Sequence, residues 1–185
     1  MKAAVWTGKD KIEVRELPIP EIGVEEALIR VCAAGVCATD YHIISGQLAI
    51  GRPPNVQGHE ICGRIEKINS SRKDLSVGQR CVIATSIGCG KCAYCREGKQ
   101  YLCKDSSEIG FYPHNGGYAE YVKVPVSCIV PIPDEVSDLA GSILESVVCP
   151  AESLMRVGIP FGSTVLVTGA GAAALGYIAV AKALG

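Results

Sequence analysis

The sequence predicts a mainly β domain, a barrel or sandwich, that passes through a helical connector into the first strand–turn–helix of an α/β domain. Three observations predict it. Up to residue 130, short apolar and β-branched runs are separated by Gly and Pro. After Pro133 the apolar spacing becomes helical. Near the end, a β-branched run meets a glycine-rich turn and an Ala-rich stretch. With 185 residues, 48% hydrophobic and 20% charged, the chain can bury a core without disulfides and is not of disordered composition.

The strand candidates, in order, are Lys2–Thr7, Lys11–Leu17, Ala27–Ala33, Ile61–Ile68, Gln79–Ala84 and Tyr118–Val124. Pro18, Pro20, Gly23, Gly46, Gly51, Pro53, Pro54 and Gly78 punctuate the gaps. In Tyr118–Val124, alternate residues (Tyr118, Glu120, Val122, Val124) share one face. From Ser137 to Val157, the apolar residues Leu139, Ile143, Leu144, Val147, Val148, Leu154 and Val157 recur at helical spacing. Ser137 is the expected N-cap, and Pro150 is expected to kink or divide the helix, since proline lacks the N–H and crowds the preceding turn. Thr164–Thr168 reads as a buried parallel strand, followed by Gly169-Ala170-Gly171 and a helix over Ala172–Leu184. Only one βα unit is present where a doubly wound nucleotide domain needs several, so the chain is expected to be a truncated form of a longer protein.

Charge and targeting narrow the function. A formal net charge of −1 gives no electrostatic reason to expect nucleic acid or an anionic membrane as partner. No apolar run reaches the ~18 residues of a membrane span. The N-terminus has no apolar signal-peptide core. Ten Cys in such a chain point to reduced thiols or metal, and to the cytoplasm.

Four of those Cys form C-x2-C-x2-C-x7-C: Cys89, Cys92, Cys95 and Cys103. Gly88, Gly90 and Gly98 let the backbone fold tightly there. Four thiolates close a tetrahedral Zn²⁺ shell with no open position, which is a structural site, and Lys91, Arg96, Lys99 and Lys104 can offset its charge. An iron–sulfur cluster would favour a shorter last gap and a Pro after the fourth Cys, where Lys104 stands.

A second set lies in Gly35–His42 and Gly58-His59-Glu60. Cys37 and His59 offer a thiolate and an imidazole in short turn-rich segments. Glu145 and Cys149, one helical turn apart, are both candidates for a third donor. An open fourth position would take an alcohol oxygen, with the metal as Lewis acid. Asp40 is the natural partner for the second nitrogen of His59, and Thr39 and His42 are placed to pass a proton to solvent. Thr39 could instead cap a helix, and His42 could be a solvated surface residue. The third signal is Gly169-x-Gly171-x-x-Ala174, a dinucleotide fingerprint. There Gly169 makes the turn, Gly171 admits a pyrophosphate to the helix N-terminus and Ala174 allows close packing. The blander readings are that Cys32, Cys62, Cys81 and Cys128 are small buried hydrophobes, that Val5, Trp6 and Phe161 are packing residues, and that His114 is an exposed turn residue.

These motifs in this order, with Gly116-Gly117-Tyr118-Ala119-Glu120-Tyr121 between them, resemble the zinc-dependent alcohol and polyol dehydrogenases of the medium-chain family along essentially the whole chain. The resemblance implies a GroES-like β-barrel catalytic domain (residues 1–150) followed by the start of an NAD(P)-binding Rossmann domain (151–185). It implies that Cys37 and His59 hold catalytic zinc with Glu60 beside it, and that Thr39 and His42 form a proton relay. Cys89, Cys92, Cys95 and Cys103 would hold structural zinc, giving two zinc ions per chain. Its register favours Glu145 over Cys149 as third ligand. It further implies NAD or NADP as cofactor, an alcohol or polyol as substrate, and a whole protein that is a homodimer or homotetramer. Pro150 and Ala174 depart from its usual pattern. The other reading is a zinc-binding fragment or interaction module without turnover.

Overall fold

The computed structural model describes all residues from Met1 to Gly185. Three strands form one sheet in the order β2-β1-β4: β1 (Lys2–Gly8), β2 (Lys11–Glu16) and β4 (Asn55–Val56). Five form a second, in the order β10-β6-β5-β3-β9: β3 (Glu26–Ala34), β5 (Ile61–Asn69), β6 (Arg80–Ile83), β9 (Tyr121–Pro125) and β10 (Ile129–Pro131). Neighbouring strands pair antiparallel in both. A small ladder of β7 (Ser86–Ile87) and β8 (Ser107–Glu108) closes the base of the cysteine-rich loop, which contains the one-turn helix α2 (Ala93–Arg96).

The core lies on one face of the five-stranded sheet. Ile29, Ile61, Ile65, Ile83, Ile109, Val122, Val124, Val126 and Ile129 are all buried there. Each such side chain contributes about 1.5–3 kcal/mol on leaving water. The alternation expected for Tyr118–Val124 appears in the buried Val122 and Val124, but the ladder of β9 begins only at Tyr121. The preceding residues serve both sheets. Tyr118 C=O accepts from Ala4 N–H, Glu120 N–H donates to Lys2 C=O, and Glu120 C=O accepts from Val31 N–H. Backbone that hands its bonds from one sheet to the other closes the barrel and cannot lie in a single ladder.

Helix α1 (Ala38–Ile44) crosses between β3 and β4. The helical stretch after Pro133 divides, but at Ile143 and not at Pro150, giving α3 (Asp138–Ser142) and α4 (Leu144–Val157). Ser137 caps α3 by accepting from Ala140 N–H at 3.1 Å, as expected. Pro150 stays inside α4 and is buried. The lost N–H leaves only the Ser146 carbonyl without its helical donor. The proline ring packs where α5 (Ala172–Ala183) has Gly176, at which a Cβ would sit 3.0 Å from it.

The strand expected at Thr164–Thr168 does not form a ladder, and those residues are largely exposed. A parallel strand needs strand partners on its edges, and none of the strands in these 185 residues pairs with it. Two packing assignments also change. Phe161 is 90% exposed, and Cys32 is exposed on the side of β3 that also carries the exposed Arg30. Val5, Trp6, Cys62, Cys81 and Cys128 are buried as expected. No helix is long and apolar enough to cross a membrane.

Candidate metal centres

The donor atoms of Cys89, Cys92, Cys95 and Cys103 all lie within 4.8 Å of one another, and no disulfide joins them. The backbone turns toward the sulfurs: Cys95 N–H donates to Cys92 Sγ and Cys89 N–H to Cys103 Sγ, both at 3.4 Å. Backbone N–H groups of Lys91 and Cys92 draw the Cys89 thiol down to about 6. Burial, with the neighbouring sulfurs, pushes Cys95 up to about 12. Four convergent sulfurs, one already favoured as thiolate, fit a closed tetrahedral Zn²⁺ shell. Gly88 is obligatory by close approach, since a Cβ there would lie 2.5 Å from Cys95 Sγ.

The second group is Cys37, His59 and Glu60, again within 4.8 Å of one another. Cys37 N-caps α1, and Asp40, at the third helical position, accepts its backbone N–H at 3.1 Å. The same carboxylate oxygen of Asp40 accepts from Tyr118 O–H at 2.7 Å, and the other lies 3.4 Å from His59 Nδ1. With Nδ1 facing Asp40, Nε2 is the nitrogen left to bind a metal. Asp40 and His59 are both buried, and Asp40 Oδ1 and His59 Nδ1 have no better polar partner than each other. Burial alone would lower the His59 ring. The Asp40 carboxylate and Cys37 outweigh it and raise the ring from 6.5 to about 9 in the metal-free chain. Burial opposes ionisation of Asp40 as well, yet His59 and Tyr118 bring its carboxyl below the ordinary value. The Phe111 ring stacks near the imidazole, with centroids 5.1 Å apart.

Glycines decide whether this centre can assemble. A Cβ at Gly35 would lie 1.9 Å from Glu60 Oε2, and one at Gly116 would lie 2.2 Å from the Gly58 carbonyl oxygen. Gly58 has φ +95°, and a Cβ there would strike the Tyr118 ring at 2.6 Å. Gly117 N–H donates to Gly58 C=O and Tyr118 N–H to Gln57 C=O. The Gly116-Gly117-Tyr118 stretch therefore clamps the Gly58-His59-Glu60 stretch and delivers the tyrosine hydroxyl to Asp40.

The remaining expected residues are placed unevenly. Glu145 lies half-buried on α4, outside the group of three donors. Burial raises its carboxyl, with Glu60, Glu108 and Asp40 adding to the rise and His59 opposing it. Cys149 is exposed one turn further on, and both line a cavity of about 700 Å³ between α4, β6 and Tyr101. Thr39 Oγ1 lies 3.5 Å from Cys37 Sγ. His42 is exposed, with Nδ1 paired to Gln47 Oε1 at 2.7 Å. His114, expected in solvent, is half-buried and its Nε2 meets Ser107 Oγ at 2.9 Å. Gly169 has φ +115°, Gly171 caps α5 and Ala174 is buried. Tyr118 O–H, Phe111 and Ser146 are partners that no local motif announced. Only the Gly-Gly-Tyr spacing hinted at the first.

Residues 23–134 match the alcohol dehydrogenase GroES-like domain. The chain belongs to that family, the catalytic domain of the medium-chain zinc-dependent alcohol and polyol dehydrogenases. All of it aligns with L-galactonate-5-dehydrogenase of Escherichia coli (strain K12), 39% identical and 51% of that protein's length. All of it also aligns with sorbitol dehydrogenase of Bacillus subtilis (strain 168), at 32% identity and 53% of the length. Among solved structures, a zinc-binding dehydrogenase from Sinorhizobium meliloti 1021 bound to NADP superposes with a TM-score of 0.91 at 34% identity, over the whole chain and 53% of that one. The chain thus spans about half the length of the curated relatives it matches. Mainly β architecture with a GroES-like domain is the fold the sequence predicts, and the family is the one the motifs resemble.

Proposed function

We propose that this chain is the catalytic-domain portion, with the opening of the nucleotide domain, of an NAD(P)-dependent zinc oxidoreductase that converts a primary or secondary alcohol or a polyol to an aldehyde or ketone. The observation that carries the reading is the buried Cys37–His59–Glu60 donor set backed by Asp40 and Tyr118. Cys37, His59 and Glu60 would hold the catalytic ion, with Glu145 the alternative carboxylate on α4. Cys89, Cys92, Cys95 and Cys103 would hold a structural one, making two zinc ions per chain. When bound, zinc supplies Lewis-acid polarisation of the substrate oxygen and NAD(P) accepts the hydride.

The chain's own residues do the rest. Asp40 holds the proton on His59 Nδ1 and so leaves Nε2 as the ring nitrogen turned toward the ion. Phe111 covers one side of the imidazole and keeps water from it. Thr39, beside Cys37, and His42, at the solvent end of α1, take the substrate hydroxyl proton outward. Gly169, Gly171 and Ala174 would admit the cofactor pyrophosphate at the N-terminus of α5. We place the domain boundary near 150, within α4. The relatives' names favour a polyhydroxylated substrate. Ten unpaired cysteines favour a reducing, cytoplasmic setting, and a homodimer or homotetramer is the assembly the family implies for the whole protein.

A second reading applies to the 185 residues in isolation. With Thr164–Thr168 unpaired, the cofactor sheet is not built, and the isolated chain is a zinc-binding module with little turnover. The test follows NAD(P)H absorbance during polyol oxidation by the zinc-loaded full reading frame and by residues 1–185. The proposal expects turnover in the first, its loss with Cys37→Ser, and little in the second. A full-length protein that keeps its rate in Cys37→Ser would overturn the catalytic reading.

A further inference from the structure

Glu60 is held from both sides. Its Oε2 lies over Gly35, where the space for a Cβ would be only 1.9 Å away. Its Oε1 accepts the Ser146 hydroxyl at 2.5 Å, a contact spanning 86 residues. A carboxylate can only accept, so the hydroxyl is the donor. Glu60 is buried, and a buried carboxylate with one oxygen fixed has little freedom to turn the other. Ser146 sits in the first turn of α4, directly after Glu145, the second carboxylate near the centre. It is also the residue whose backbone carbonyl loses its helical donor to Pro150, and Pro150 packs against Gly176 of α5. One residue therefore joins the metal centre, the competing carboxylate and the helix that opens the nucleotide domain.

We propose that Ser146 is a positioning residue: its hydroxyl orients Glu60 into the donor set with Cys37 and His59, and thereby keeps Glu145 outside it. The inference rests on the reading of Cys37, His59 and Glu60 as a metal centre, and it goes beyond that reading by assigning what selects the third donor. Removing the hydroxyl frees Glu60 to rotate, and the centre loses its preorganised oxygen.

The experiment uses the 185-residue chain with its four-cysteine loop filled by one equivalent of Zn²⁺, titrated with Co²⁺. The d–d band reports coordination at the second centre, and chelator competition gives its affinity. Ser146→Ala is expected to weaken Co²⁺ binding roughly 10- to 100-fold and to alter the d–d band, as loss of a partner behind a metal ligand does. Ser146→Thr, which keeps the hydroxyl, is expected to restore both. In a Glu60→Ala background, Ser146→Ala is expected to have no further effect. In a Glu145→Ala background its full effect should persist. Unchanged affinity and spectrum in Ser146→Ala, or an equal loss in the Glu60→Ala background, would overturn the proposal. If the unmutated chain takes up no second ion, the metal reading itself fails, a result distinguishable from failure of Ser146 alone. Metal-free thermal unfolding of each variant separates misfolding from mispositioning.

Discussion

The two candidate metal centres are built in opposite ways. The four-cysteine lobe draws every donor from fifteen consecutive residues and shapes itself with its own backbone N–H groups. The Cys37–His59–Glu60 centre draws donors from two segments, the first of which also carries Asp40, and support from two more: Tyr118 at the sheet crossing and Ser146 on α4. The local centre has little structure to fall back on without its ion. The dispersed one is embedded in the barrel, and its geometry is set by packing before any ion arrives. An ion in the cysteine loop would therefore stabilise that loop, whereas at the dispersed centre the fold prepares the donors.

The largest test of this contrast is metal removal. Chelation or Cys92→Ser should unravel residues 88–106 to proteolysis while the barrel stays folded, since structural zinc carries about 10 kcal/mol or more of local folding free energy. Chelation should leave the segments around Cys37 and His59 protected from hydrogen exchange. Exchange that rises equally at both centres would break the contrast.

Next in size is Gly116→Ala. The new methyl would meet the Gly58 carbonyl at 2.2 Å, and backbone cannot yield as a flexible side chain can. A loss of about 1–3 kcal/mol in denaturant stability is expected, along with the second zinc equivalent but not the first. Tyr118→Phe should act more narrowly. It removes one donor to Asp40, so metal affinity at the dispersed centre should fall about tenfold, with the four-cysteine lobe unaffected.

A pH series sharpens the comparison further. In the metal-free chain His59 is raised to about 9 from an ordinary 6.5. A raised folded-state value stabilises the protonated form, so this contribution is complete below pH 6.5 and disappears as pH climbs through about 9. Thermal stability of the metal-free chain should therefore decline from pH 6.5 to 9. Zinc binding at the dispersed centre should tighten over the same interval, because the ion must displace that proton. His59→Gln should abolish both trends. The smallest expected effect is that of Cys149→Ala, which should leave both metal equivalents in place, since Cys149 is exposed and outside the donor group. Metal lost in Cys149→Ala and kept in Glu60→Ala and Glu145→Ala would reverse the ligand assignment.

Legibility in the sequence followed the same division. Spacing alone was enough for the four-cysteine loop, because neighbours in sequence are neighbours in space there. Strands β1, β2, β3, β5 and β6 announced themselves through short apolar, β-branched runs bounded by turn residues. The break at Ile143 did not, because Pro150 is the stronger local signal, yet the helix continues through it and its ring packs against a glycine on another helix. Thr164–Thr168 has the composition of a strand, but a ladder depends on partners that composition cannot supply. At the dispersed centre Cys37, His59 and Asp40 could be read from residue type. Tyr118 and Ser146 could not, since their contacts span 78 and 86 residues. Glu145 is favoured by the family register, whereas Glu60, the neighbour of His59, is the carboxylate whose oxygen lies within 4.8 Å of the Cys37 and His59 donor atoms.

Zinc counting on purified chain tests the central claim most directly. Two independent centres predict two zinc ions per chain, falling to one in Cys37→Ser and to one in Cys92→Ser, with the surviving ion at the other centre in each case. A single zinc that survives Cys37→Ser and disappears in Cys92→Ser would contradict it.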